Sequence, residues 1–97
     1  MARDGAHFLL RYDLVDDHNE RRAEFRDAHL ALATEASQRG QIVLGGALAD
    51  RPDRALLAWR VGDRTVIDDL VRADPFVING LVRSWSVRPL ECVGTAS

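Results

Sequence analysis

Few residues in this chain can move a proton near neutral pH. It has three histidines, one cysteine and no lysine, and all 13 basic residues are arginine. A Schiff-base mechanism is excluded, because there is no side-chain amine to form one. Cys92 stands alone, which forbids an intrachain disulfide. Nothing beside it in the sequence would activate it as a thiolate. Histidine is left. Phe25, His29, Leu32 and Ala36 follow a 4-3-4 spacing, which places them on one helical face. An imidazole on an apolar stripe must find a hydrogen-bond partner or bear a desolvation cost. His29 is therefore either a satisfied core histidine or a general base facing a pocket, a task its near-neutral pKa suits.

Asp74 follows 45 residues later, directly before Pro75. Its local reading is an Asp-Pro corner whose carboxylate accepts nearby backbone N–H groups. Its second reading is that of a partner to His29, fixing the imidazole tautomer, if the fold lays the two segments side by side. Arg22 and Arg26 precede His29 by seven and three residues, so helical spacing brings both near its face. There they would hold a carboxylate or phenolate, or else lie on a solvated rim. Tyr12 is a candidate for the pocket floor, and Asn79 and Ser84 are candidates to orient a ligand. His7 and His18 open the first strand and the first helix and share no stripe with His29. No metal site and no cofactor are expected from this set.

These residues have to be positioned by one small domain. The chain has 97 residues, 46% hydrophobic and 29% charged, with a net charge of -2. That composition suits a single folded unit over 1–97, with a core at about 6–90 and a short tail at 91–97. Charges of both signs are interspersed, which argues against nucleic acid as a partner. No apolar run approaches the ~20 residues of a membrane span. The charged segment 1–5 lacks the apolar region of a signal peptide, and cysteine usage fits a reducing cytoplasm.

Residues 6–14 alternate as a half-buried strand. Residues 20–39 favour helix, and Gly40 ends it. Residues 41–49 read as a buried strand, with Gly45-Gly46 marking a bulge or a close backbone approach. Residues 54–61 form a third strand. Asp63 caps a second helix, which stops near Ala73-Asp74 because Pro75 disfavours helical geometry before it. Residues 76–80 read as irregular and 81–90 as a last strand. The order β-α-β-β-α-β predicts an α+β, ferredoxin-like sandwich with two helices on one face of a four-stranded antiparallel sheet. The other face keeps apolar residues and has no third layer, so a homodimer with sheets packed face to face is expected.

Three elements carry a resemblance. Arg26-Asp27-Ala28-His29-Leu30, then Gly40 with Gly45-Gly46-Ala47-Leu48, then Ala73-Asp74-Pro75-Phe76 with Asn79-Gly80-Leu81-Val82 resemble the YciI-like (YCII-related domain) family. That family lies within the dimeric α/β-barrel group of ferredoxin-like proteins. The resemblance spans residues 6–90. It implies a homodimer and an active site built on a His–Asp pair, carried here by His29 and Asp74. One role in the family is dehydrochlorination of a chlorinated hydroxyquinol. Relatives in the wider group include muconolactone isomerases and cofactor-free monooxygenases. The activity so implied is a cofactor-independent lyase or isomerase acting on a small aromatic or lactone-like acid. The alternative is a non-catalytic module that binds a small metabolite.

Overall fold

A computed structural model describes residues 6–93. The charged segment 1–5 and the last four residues of the expected tail lie outside the described residues. The elements run β1 (Ala6–Leu14), α1 (His18–Arg21), a 3-10 turn (Arg22–Glu24), α2 (Arg26–Gln38), β2 (Ile42–Ala47), β3 (Arg54–Val61), α3 (Thr65–Ala73), α4 (Pro75–Ile78) and β4 (Val82–Pro89). The sheet order is β2-β3-β1-β4 and every pairing is antiparallel. This is the ferredoxin-like α+β arrangement expected from the sequence.

The period-2 pattern decides which face is covered. Leu10 lies opposite Leu57 and Val87, and Tyr12 opposite Ala55 and Trp85. Leu10, Tyr12, Leu14, Leu57, Trp59, Val61 and Val87 are buried in one cluster with Ala36 of α2 and Ile67 and Val71 of α3. All helical burial is therefore on this face. Leu9, Leu56 and Ala58 point the other way, beside Arg11, Arg60 and Arg88. No helix among the described residues covers them.

Three expectations need correction. The first helical segment is not one helix over 20–39. It is a one-turn helix, a 3-10 turn and then α2, with Phe25 at φ -113° and ψ -2° between them. Propensity carries no signal for that change of pitch, which tertiary packing imposes. Residues 76–80 are not irregular. Asp74 accepts from Phe76 N–H at 3.0 Å and Pro75 occupies the first helical position, so the Asp-Pro corner starts α4. The strand after Gly40 is not buried. It is an edge strand with a register shift between Ile42 and Leu44, leaving Val43 52% and Leu44 75% exposed. Of the two glycines that follow, Gly45 serves close approach, since a Cβ on it would sit 3.2 Å from Leu57 Cγ, whereas one on Gly46 would meet open space.

Both turns that close helices toward the site use a left-handed glycine. Gly40 has φ +76° and Gly80 has φ +77°. After α2, Gln41 N–H reaches the Ala36 carbonyl, and after α4, Leu81 N–H reaches the Phe76 carbonyl. These are Schellman closures, in which glycine avoids the Cβ strain of positive φ.

Candidate active site

The site forms where α2, the α3–α4 corner and β1 meet. Asp74 stands in extended backbone between α3 and α4 and is 1% exposed. Such a carboxylate must have its lone pairs filled by donors. Three groups do so. Tyr12 O–H donates to Oδ2 at 2.8 Å, Phe76 N–H donates to Oδ1 at 3.0 Å, and His29 Nδ1 lies 2.9 Å from Oδ1 and 3.0 Å from Oδ2. The local and the long-range readings of Asp74 thus hold together, one oxygen serving both the corner and the imidazole.

This geometry assigns the His29 tautomer. A carboxylate accepts, so the proton belongs on Nδ1, and Nε2 is left with a free lone pair. The ring is 19% exposed. Its plane is fixed by Phe76, which stacks on it at 4.0 Å between centroids and 14° between planes. Burial, then the charge of Asp74, then the hydrogen bond to it push the Tyr12 hydroxyl far above its ordinary pKa, so Tyr12 remains a donor.

A cavity of about 520 Å³ opens between α2 and the strands β1, β2 and β3. Tyr12, Arg22, Arg26 and His29 line it, with Leu14, Leu30, Ala33, Ile42, Leu57 and Phe76 as apolar wall and Gly45 and Gly46 along β2. Arg22 and Arg26 have no acidic side chain within ion-pair distance among the described residues. The cavity is thus a largely apolar cleft carrying two guanidinium groups and the His29 imidazole, with a second histidine, His18, in its wall.

Two sequence candidates are not brought to this cavity. Ser84 lies on the opposite sheet face, where its hydroxyl donates to Asp13 at 2.8 Å. A one-residue offset along a strand reverses the face, and Ser84 pairs with Asp13 while Trp85 pairs with Tyr12. The serine bond is the first cause of a lowered Asp13 pKa. Asn79 is exposed at the end of α4, where its amide donates to the Pro75 carbonyl at 2.8 Å and closes the helix.

One residue was missed. His18, read as lying off the His29 stripe, lines the same cavity and is 7% exposed. Its ring meets Phe76 edge-on at 5.1 Å and 86°. The steps 18-22-26 were readable in the sequence as four-residue spacings leading into the Arg22–Arg26 pair. Comparing His18 only with the His29 stripe, and not with the two arginines, concealed them. Burial first, then the charges of Arg22 and His29, lower its pKa, while the Leu81 carbonyl acts in the opposite sense.

A family model described as the YCII-related domain matches residues 6–91. No curated protein matched the sequence. Among solved structures, the chain is similar to 5-chloro-2-hydroxyhydroquinone dehydrochlorinase from Burkholderia phenoliruptrix, in complex with 2,5-dihydroxybenzoquinone. The identity is 19%, the TM-score is 0.74, and the match covers 88% of this chain and 93% of that one. It is also similar to a putative antibiotic biosynthesis monooxygenase from Bacteroides thetaiotaomicron, at 17% identity and TM-score 0.59, covering 97% of this chain and 94% of that one. A NIPSNAP family protein from Agrobacterium tumefaciens follows at 14% identity and TM-score 0.56, covering 88% and 90%. These likenesses support the fold. The family match covers nearly the whole chain: this protein belongs to the YCII-related domain family.

Proposed function

We propose that this member of the YCII-related family is a small acid–base enzyme of the lyase or isomerase type, acting without a cofactor on a small anionic ring compound. The observation that carries the reading is the His29–Asp74 pair beside an open, partly polar cleft. Nε2 of His29 takes a proton from an acidic O–H or C–H of the substrate. The electron pair released moves into the ring or lactone and either expels a leaving group with its bonding pair or shifts a double bond. The imidazolium formed is held by Asp74 and returns its proton to product or solvent, so charge and atoms balance. Arg22 and Arg26 hold the substrate anion, and the apolar wall excludes water from its ring.

The dehydrochlorinase similar in fold handles a chlorinated hydroxyquinol and binds 2,5-dihydroxybenzoquinone. Ring compounds of that class are the first to test. Wild-type protein is expected to bind 2,5-dihydroxybenzoquinone by calorimetry and to release chloride from a chlorinated hydroxyquinol. His29→Gln is expected to keep binding and to lower turnover by about 10²–10⁴-fold. Turnover unchanged in His29→Gln would refute the acid–base role. Binding without turnover would favour the second reading, a metabolite-binding module, since the two unpaired guanidinium groups suffice to retain an anion.

The enzyme acts as a homodimer in this proposal. Leu9, Leu56 and Ala58, with exposed Leu44, form the apolar part of the uncovered sheet face, and a second copy of that face would cover them.

A further inference from the structure

Tyr12 is buried and titratable, and it has no part in the proposed chemistry. It is the single tyrosine of the chain and is 1% exposed. It stands on β1, between β3 and β4, with Ala55 and Trp85 opposite it. Its hydroxyl donates to Asp74 Oδ2 at 2.8 Å. A phenol has one proton to donate, and burial with the Asp74 charge beside it keeps that proton on the oxygen. Tyr12 is thus neither a proton source for the substrate nor a free donor to a ligand, although its ring lines the cleft. Asp74 needs an anchor of this kind. It sits alone between two helices, the second of them four residues long. Phe76 N–H, which holds Oδ1, lies two residues away and moves with the same corner. His29 Nδ1 lies 2.9 Å from Oδ1 and 3.0 Å from Oδ2, a nearly even split that does not choose the orientation of the carboxylate. Tyr12 supplies the bond that ties Oδ2 to the middle of the sheet.

We infer that Tyr12 is a positioning residue of the His29–Asp74 pair, whose hydroxyl fixes the Asp74 carboxylate against the sheet so that the carboxylate holds Nδ1–H and leaves Nε2 as the base. The inference rests on the proposed acid–base function and deepens it. With Phe76 N–H on Oδ1 and Tyr12 on Oδ2, both oxygens are held and the plane of the carboxylate is set. The same bonds direct the proton. When Nε2 takes a proton from the substrate, the ring becomes a cation with its other proton shared toward Asp74. A carboxylate that already accepts from two donors is a poorer base. The Nδ1 proton therefore stays on the ring, and the proton taken from the substrate leaves again through Nε2. Tyr12 acts on this step through Asp74 alone and touches neither the imidazole nitrogens nor the substrate.

Tyr12→Phe on the full chain tests this, because it removes the hydroxyl and keeps the ring in the core. In chloride release from a chlorinated hydroxyquinol, kcat is expected to fall about tenfold, the lower end for one hydrogen bond to a charged group, while KM stays within about twofold. The imidazole nitrogen shifts of His29 are expected to report the Nδ1–H form in wild type and a mixture of both tautomers in the variant. A ligand-binding tyrosine gives the reverse, a raised KM with kcat and tautomer unchanged, and that result overturns the inference. A second measurement leaves Tyr12 in place. The chain has one tyrosine, so its hydroxyl proton is assigned directly by NMR. Two donors on one carboxylate compete for its charge, so His29→Ala is expected to move the Tyr12 hydroxyl proton downfield. An unmoved signal would mean that Asp74 does not couple the two side chains, and the positioning role is lost. If wild type releases no chloride, the failure belongs to the proposed reaction, and the tautomer and hydroxyl-proton results still decide the role of Tyr12.

Discussion

At the scale of single residues, the site depends on which nitrogen of His29 carries the proton. Asp74 fixes that choice by accepting from Nδ1, and Tyr12 and Phe76 N–H occupy its remaining lone pairs. Asp74→Asn keeps the shape and reverses the logic. The amide nitrogen donates to Nδ1, so the proton moves to Nε2 and the base is lost. Nitrogen chemical shifts of the imidazole are expected to report the Nδ1–H form in wild type and the Nε2–H form in the variant. An unchanged tautomer in Asp74→Asn would show that Asp74 does not set it. His29 and Asp74 each stood out locally, one as an imidazole in an apolar stripe and the other as the corner before a proline, but those patterns left both roles open and it was the family resemblance that joined them as a pair. Ser84 was misread because sequence proximity to Asp74 does not reveal the face of a strand.

His18 makes a separate prediction about pH. Its pKa in the fold is lowered from 6.5 by burial first and by Arg22 and His29 next. Below about pH 6.5 the unfolded chain takes up a proton at this residue that the folded chain resists, so the unfolded state binds more protons. Stability is therefore lost as pH falls through that window and regained above it. Urea unfolding of wild type and His18→Phe at pH 7.5 and 5.5 isolates this contribution. The variant is expected to lose less stability than wild type between the two values. Equal losses would mean that His18 titrates in the fold as it does in the unfolded chain.

At the scale of elements, the site is set by where helices stop. α3 ends at Ala73 and α4 begins at Pro75, so Asp74 is the single extended residue between them. α4 is then closed by Gly80, whose positive φ lets Leu81 N–H reach the Phe76 carbonyl. Gly80→Ala meets open space around its new Cβ, so its cost is backbone strain alone. We expect a loss of about 1 kcal/mol in urea unfolding, with weaker ring-acid binding because Phe76 is less firmly held. No measurable loss would mean that the α4 closure tolerates an alanine at positive φ. The strand periods, Gly40 and the Pro75 boundary were legible because local chemistry dictates them. The pitch change at residues 22–25 and the exposure of β2 were not. Both arise from packing between distant segments, which composition within the segment does not encode.

At the scale of the molecule, length was the most informative number. Ninety-seven residues make one βαββαβ unit, and its helices cover one sheet face. The uncovered face is a row of Leu9, Leu56 and Ala58 flanked by charged neighbours: Arg11 beside Leu56, and Arg88 beside Leu9. Asp13 with Arg11, Arg54 and Ser84 forms a polar cluster on the same face. A second copy placed face to face would bury the apolar row with Arg88 of the edge strand β4 at its margin, and would carry the Arg11–Asp13 pair of the central strand β1 into the interface as an already paired charge. Leu56→Asp tests this without touching the cleft, since Leu56 points away from it. In a lone chain the substitution lies on an open surface and costs little, within about 0.5 kcal/mol. In a dimer it buries an unpaired charge against the partner's apolar row and blocks association. Light scattering on wild type is expected to give the mass of two chains, and on Leu56→Asp the mass of one, with helical and sheet content retained by circular dichroism. A wild type that runs as a single chain would remove the dimer from the proposal, and the acid–base cleft would then stand complete within one copy.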